Sequence, residues 1–562
     1  HLPQGKDRDP KVLDRNLEQA VTEYAPGNEL VWDKRLLTPN GLVGPLWKNH
    51  KSRNTWDTTA SAIGEVTRQI FCKACRNFNV EIIDGAYEDE QDSINICSIC
   101  RADSERVYVA VTPNGFMTDF NMSKPASDAS YDNAVSSFMA SPNIGAKTQV
   151  RKGSAFLAFS SQGKVYRISQ RGDGAPFEFD RLAKLQTPNH QWIDSGEPDL
   201  WRFAENGGEV RVRLSAAKTT DLLSIRLVDG RGLAFFDEFR ELAARKAAWY
   251  SAATMLQRAI ALELDVDSLA IEIASVHKYT DGEGKKGAEL YLADEHPNGA
   301  GLVDWAKTNW ELLLEGCLTG TGTLSRLGRF IRDECERANG EQAWRTPDTL
   351  LKGFRNRQLH GLVDWRLGME LLSVMRDPEY KPGLSPLFED WGLGLQSWGA
   401  EASDLADLYC STIASTHNPT RISSTTGKLQ GWITVENGKT SAYVVSHPLW
   451  EFDPGIKDEV SKQIISFVGE TPNVQSVCLL DSFNLSRRMS WVRGNLSAYF
   501  RTYNLERYVN DMASDAEHTS LNELIERTAV GHDFDYDGTI WTRIEEANAW
   551  DENQGTWIMV EG

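Results

Sequence analysis

The chain has 562 residues, 41% of them hydrophobic and 25% charged, with a formal net charge of −20. That length holds three or four domains with full cores, at an apolar content ordinary for a globular protein in water. No apolar run approaches the roughly 18 residues that cross a bilayer, the first residues are not a signal peptide, and the acidity excludes adhesion to nucleic acid by the whole surface.

A cytoplasmic protein with no membrane partner is the expectation. Eight cysteines, four of them in two CxxC pairs, fit a cytosolic metal site better than a disulfide frame. The chain begins at His1 without an initiator Met, which is expected of a piece cut from something longer.

In chain order, residues 1–65 read as a helix with Leu13, Leu17, Val21 and Tyr24 on one face, then a short extended run from Glu29 to Trp32. Residues 66–150 carry Cys72-Lys-Ala-Cys75 and Cys97-Ser-Ile-Cys100, separated by 21 residues and flanked by strand-like runs. Two CxxC turns at hairpin tips bring four thiolates to one tetrahedral point, which suits a structural zinc ion. Two thiol pairs without metal, or a redox pair, are the alternatives. All four ligands would come from protein, so the site would fold a small subdomain and leave no open position for catalysis. Residues 121–147, rich in Ser, Ala and Asn, read as a loop or lid.

Residues 151–380 open with strands at Ala155–Phe159, Lys164–Ile168, Glu209–Leu214 and Leu222–Leu227. The stretch that follows, Phe235–Trp310, organises the rest. Phe235, Phe239, Leu242, Trp249, Leu256, Ile260 and Leu264 recur at helical steps over about 30 residues. A hairpin of Leu269–Ile273 with Ala288–Leu292 comes next, then a tight turn and a helix Leu302–Leu314 that stops at Gly316. Residues 381–562 read as a mixed α/β domain, with strand-like WITVEN and SAYVVSHPLW and a helix near Glu459–Val468.

Three phrases carry a family resemblance: SAATMLQRAIALELDVD, ELYLADEHPNGAGLVDW and FRNRQLHGLVDWRLGMELL. They resemble, in order, the C-terminal MrfA zinc-binding (MZB) domain of MrfA-type superfamily-two helicases. EYAPGNELVWDKRLLTPNGL and VTPNGFMTDF resemble the family's segments behind the motor core and behind a zinc knuckle. The resemblance implies ATP-driven DNA helicases of repair and of bacterial anti-phage systems such as Druantia, and the partner subunit of DISARM. The family's cysteine cluster before the Asn…His…Asp phrase is reduced here to Cys317 and Cys335. The family's own zinc is therefore expected to be lost, with Trp344, Phe354, Leu359, Leu362 and Trp365 holding that region by packing.

A motor needs a phosphate cradle, and no G-x-x-x-x-G-K-[ST] occurs in the chain. Asp294-Glu295-His296 echoes a helicase box but runs into Pro-Asn-Gly, the mark of a structural turn. The chain alone is expected not to hydrolyse ATP. Asp533, Asp535 and Asp537 read as a solvated acidic turn, or else as a calcium loop whose last acid, Glu545, falls one residue late. His360 and Asp364, one helical turn apart beside Arg355 and Asn356, read as a hydrogen-bonded buckle or as a nucleic-acid contact.

Two basic tracts interleaved with aromatic residues could touch DNA. One holds Arg345, Lys352, Arg355 and Arg357 with Trp344 and Phe354; the other holds Arg487, Arg488, Arg493 and Arg501 with Trp491, Tyr499 and Phe500. Cations neutralise phosphates and rings stack on unpaired bases. A solvated charged face is the alternative for each.

The expectation is an α+β fold: a small four-cysteine zinc ribbon, a β-rich layer on a long helix with a helical MZB-like subdomain, and an α/β C-terminal domain. The resemblance implies an accessory region of a DNA helicase in phage defence or repair, meeting single-stranded DNA or an unwinding duplex. The motor would lie in the same longer protein or in a partner subunit. A separate zinc-containing subunit that docks a helicase, and a protein-interaction scaffold without DNA contact, are the alternatives.

Overall fold

The computed structural model describes residues 13–505 except 33, 50, 53, 54, 59, 74–76, 84–93, 98–102, 119–134, 141–148, 187–191, 238–242, 281–283, 339–347, 394, 454, 456 and 457; beyond 505 it describes the backbone of 533–536, 539–545, 548–551 and 556–559. The fold is α+β. The chain divides into two compact units, 1–230 with 234–395, and 231–233 with 396–562. Among the described residues no helix is long and apolar enough to cross a membrane.

The first unit is built on a 14-stranded sheet among the described residues. Nine of its strands matter for the site: β1 (Ile63–Cys72), β2 (Phe78–Ile82), β3 (Ile94–Ile96), β4 (Asp103–Pro113), β5 (Val135–Ala140), β6 (Ala155–Arg171), β7 (Val210–Val228), β8 (Ile271–Thr280) and β9 (Lys286–Asp294). The central strand is β7. It pairs with β6 along one edge, with β9 along the other, and with β4 in parallel at Arg213 and Leu214.

Two expectations change here. The runs read as four separate strands fuse into β6 and β7, because the gap in β6 is absorbed by a bulge between Ser160 and Gly163. A Cβ at Gly163 would sit 2.3 Å from that of Leu222, so only glycine lets the two strands close across the bulge. The expected loop or lid at 121–147 contains a strand, since Val135–Ala140 pairs with β6.

The long helix, α1, spans Ala244–Leu264 and so begins nine residues after Phe235; residues 238–242 lie outside the described set. It is buried on most of its circumference, from Ala247, Trp249 and Ala252 to Thr254, Leu256 and Ile260. A single apolar stripe does not describe it, since β8, β9 and five other helices pack on it. The expected helix Leu302–Leu314 is two helices broken at Asn309: α2 (Leu302–Thr308) and α3 (Trp310–Thr319), which stops at Gly320. Then come α4 (Arg326–Ala338) and α5 (Trp365–Arg376). Gly368 of α5 lies so near α1 that a Cβ there would meet the Met255 sulfur at 2.7 Å and the Ser251 Cβ at 3.0 Å.

The three phrases singled out in the sequence thus form one packed core. Asp294 ends β9 and accepts hydrogen bonds from the amides of Ala300, Leu302 and Val303, which caps α2. Its neighbours Glu295 and His296 belong to this turn.

On α5, Glu370 is buried, accepting from the Tyr380 hydroxyl at 2.6 Å and from the Gly383 amide at 3.3 Å. Burial pushes its carboxyl up to about 7, against the lowering effect of those bonds. A folded-state value above the unfolded one contributes stability that is fully present below about pH 4.5 and is lost as pH rises through about 7. Relative to Glu370→Gln, the natural protein is expected to lose about 3 kcal/mol over that window. Urea titrations at pH 5 and pH 8 check it, and parallel pH dependences in the two proteins would refute it.

In the second unit, α6 (Trp398–His417) covers a five-stranded sheet in the order β10 (Thr420–Ser423), β11 (Gln430–Glu436), β12 (Lys439–Ser446), β13 (Val474–Asp481) and β14 (Thr502–Asn504). β12 and β13 are parallel and joined through α7 (Glu459–Gly469); the other pairs are antiparallel. Tyr409 of α6 stacks on Trp432, which stacks on Tyr443. α8 (Ser482–Gly494) follows β13, capped by Asp481. Asp533 and Asp535 lie on a strand, Asp533–Tyr536, paired antiparallel with Thr539–Glu545, while Asp537 and Gly538 lie outside the described residues.

Candidate nucleic-acid interface

The cysteine turns are positioned by two hairpins that share a sheet edge. In the first, Phe71 of β1 faces Phe78 of β2, and the Cys72 amide donates to the Asn77 carbonyl at 3.0 Å, so Cys72 opens the tip. In the second, Cys97 directly follows β3, whose Asn95 faces Glu105 of β4; on the other side of β4, Cys72 faces the same Glu105. β1 and β3 therefore run the same way on either side of β4, and their tips open at one end of the sheet. Cys72 and Cys97 are buried while Ile96, beside Cys97, is 67% exposed. Cys75 and Cys100 lie outside the described residues, as does the acidic stretch 88–92.

The first basic tract is only partly described. Arg345 and Trp344 lie outside the described residues, as do the side chains of Phe354 and Arg355, whereas Lys352 and Arg357 are exposed. The turn beside them is held by Asn356, which donates to the Leu351 carbonyl and accepts from the Gly353 amide, each at 2.7 Å. His360 Nε2 lies 2.9 Å from the Gly353 carbonyl and 3.1 Å from Asn356 Oδ1. Asp364 does separate work: it caps α5, and its amide donates to Ser251 Oγ at 2.8 Å. Cys317 and Cys335 are buried on α3 and α4, and burial pushes their thiols up to about 12 and about 11.

In the second tract the rings face the chain itself. Arg488 lies over Trp491 at 3.9 Å and donates to Asn484 Oδ1; Trp491 packs on Tyr499 and Phe500. Arg487 covers Phe483, Arg501 lies over Tyr503, and Arg493 donates to the Thr412 carbonyl at 3.2 Å. Arg487 and Arg493 remain exposed as charges.

The sequence reading missed a cleft of about 550 Å³ in the first unit, beside the first cysteine tip. Its described lining holds four cations, Lys73, Arg167, Arg213 and Lys246, and no carboxylate. Phe71, Tyr108, Phe138 and Tyr250 supply rings. Arg213 is buried, with its guanidinium 3.4 Å from the centre of the Tyr108 ring and 6.0 Å from that of Phe138. Phe138 in turn contacts Phe71. Arg167 is anchored by an ion pair with Glu272 at 3.7 Å. One wall is Ile273–Val276 of β8, four consecutive residues where a regular strand would offer every second one. A register shift between Ile273 and Ser275 makes this possible by bulging Ala274. Linear spacing carries no trace of this cluster, since the four cations come from four separate segments.

No protein-family model matches the chain, and no curated protein matches it. Among solved structures, 35% of the chain is similar to 23% of a chain titled "Crystal Structure of DUF1998 helicase MrfA bound to DNA", at 12% identity and a TM-score of 0.20, so the match spans under a quarter of that helicase.

Proposed function

We propose that this chain is a DNA-guiding accessory region of a superfamily-two helicase in bacterial genome defence or repair, with the motor elsewhere in the same protein or in a partner subunit. The observation that carries the nucleic-acid part is the cleft: four cations, four rings and no carboxylate in its described lining, on a chain of net charge −20. Cations there neutralise phosphates, and flat faces accept unpaired bases. The three sequence phrases, packed as one core beside that cleft, support the helicase part.

Cys72, Cys75, Cys97 and Cys100 would hold a zinc ion that ties the two hairpin tips together and fixes Lys73 within the first turn. Cys72→Ser is expected to remove about one zinc per chain and cost on the order of several kcal/mol of stability in the hairpin region. Metal analysis of the natural chain checks it, and a metal-free preparation that melts unchanged would refute the zinc reading.

Binding to a labelled single strand, followed by anisotropy across salt, tests the function. Affinity is expected to fall with salt, with a slope near −0.7 per phosphate contacted. The strong acidity favours a second reading, a protein-interaction scaffold, which predicts no binding and no slope.

A further inference from the structure

We infer that the cleft seats a single unstacked nucleotide of a single strand, holding its base as well as its phosphates. This rests on the DNA reading above and adds to it. The volume of about 550 Å³ lies in the range of small-molecule sites. A duplex, with a major groove alone about 12 Å wide, has no way into such a space.

Two polar atoms give the cleft more than charge. Gln170 Oε1 and Ser275 Oγ are both buried without a hydrogen-bond partner, and both residues line it. A buried polar atom left unpaired costs about 1–3 kcal/mol, so two in one cavity mark a place where a ligand supplies the partners. A Gln amide offers donor and acceptor side by side, the pattern that meets a base edge. Ser275 is the residue just past the bulge of β8, so the irregularity in the strand is what brings its hydroxyl to the wall. Phe71, Phe138 and Tyr250, each half-buried in the lining, provide ring faces of the kind on which bases stack, and Arg213, buried against Tyr108, supplies charge behind them. Lys73, exposed at the rim, meets the backbone phosphates. Electrostatics alone would need none of Gln170, Ser275 or the bulge.

The test uses the full chain and a short single strand built of abasic residues, compared with the same strand carrying one 2-aminopurine at its centre. The single base is expected to tighten binding at least about tenfold and to change its own fluorescence on binding, as stacking on aromatic faces does. Gln170→Ala and Ser275→Ala are expected to erase most of that gain while leaving the salt slope unchanged. If the abasic strand and the one-base strand bind equally, with a salt slope, the base seat is overturned and the DNA reading survives. If neither strand, nor an ordinary single strand, binds, the DNA reading itself fails and the seat with it. The strand comparison needs no variant, so poor folding of either substitution does not blunt it.

Discussion

Glu289→Ala is expected to destabilise the first unit by about 3–5 kcal/mol, because it strands a buried cation. Glu289 sits on β9 with no exposed surface. It accepts from Ser224 Oγ and pairs with Arg226 at 3.1 Å, and its second oxygen lies 3.3 Å from His277 Nε2. Arg226 is itself buried, beneath the Tyr279 ring at 3.6 Å, so it has no route to water once its partner is gone. Burial alone would raise the Glu289 carboxyl; the His277 ring, Arg226 and Ser224 more than reverse this and hold it at about 2. A depressed folded-state value contributes stability present above the unfolded value, near pH 4.5, and lost as pH falls through about 2. The gap between the natural protein and the variant should therefore be widest at neutral pH, where urea unfolding gives its size, and should narrow in acid. Replacing Glu289 and Arg226 together with leucine and methionine should cost less than Glu289→Ala alone. A single variant within 1 kcal/mol of the natural protein would refute the account.

Reversing two cleft charges, Lys73→Glu with Lys246→Glu, is expected to weaken single-strand binding roughly ten- to hundredfold at low salt and to reduce the salt slope by about 1–1.5. Both residues line the cleft, and neither belongs to the buried Glu289 network. The matching reversal of Arg487 and Arg493 in the second unit is expected to cost less. There the aromatic partners are packed on the protein, leaving exposed charge without a free stacking face beside it. Anisotropy titrations at several salt concentrations compare the two. Equal losses would move the DNA path away from the cleft.

The residues that organise the first core could be read in order along the chain. The hairpin expected at Leu269–Ile273 with Ala288–Leu292 is present as β8 with β9, though Leu269 and Ala270 form a 3-10 turn and β8 runs on to Thr280; a helix covers Trp249–Leu264, and Asp294 begins a turn. Each depends on neighbours within a few turns or on one tight connection, and local periodicity records that. The breaks between strands cannot be read this way. Gln162-Gly163 looks like a turn, yet the chain runs straight through it, because Leu222 on the partner strand has room only for a glycine there.

Local sequence by itself determined the α+β character, the elements around the cysteine pairs and the capping logic of the 294–303 turn, since those interactions are short in range. Only the tertiary structure decided that β7 is the shared strand, that α1 is buried nearly all round, and that Lys73, Arg167, Arg213 and Lys246 face one cavity. Strand register and a one-residue bulge set which side chains meet across a sheet, and neither leaves a period in the sequence.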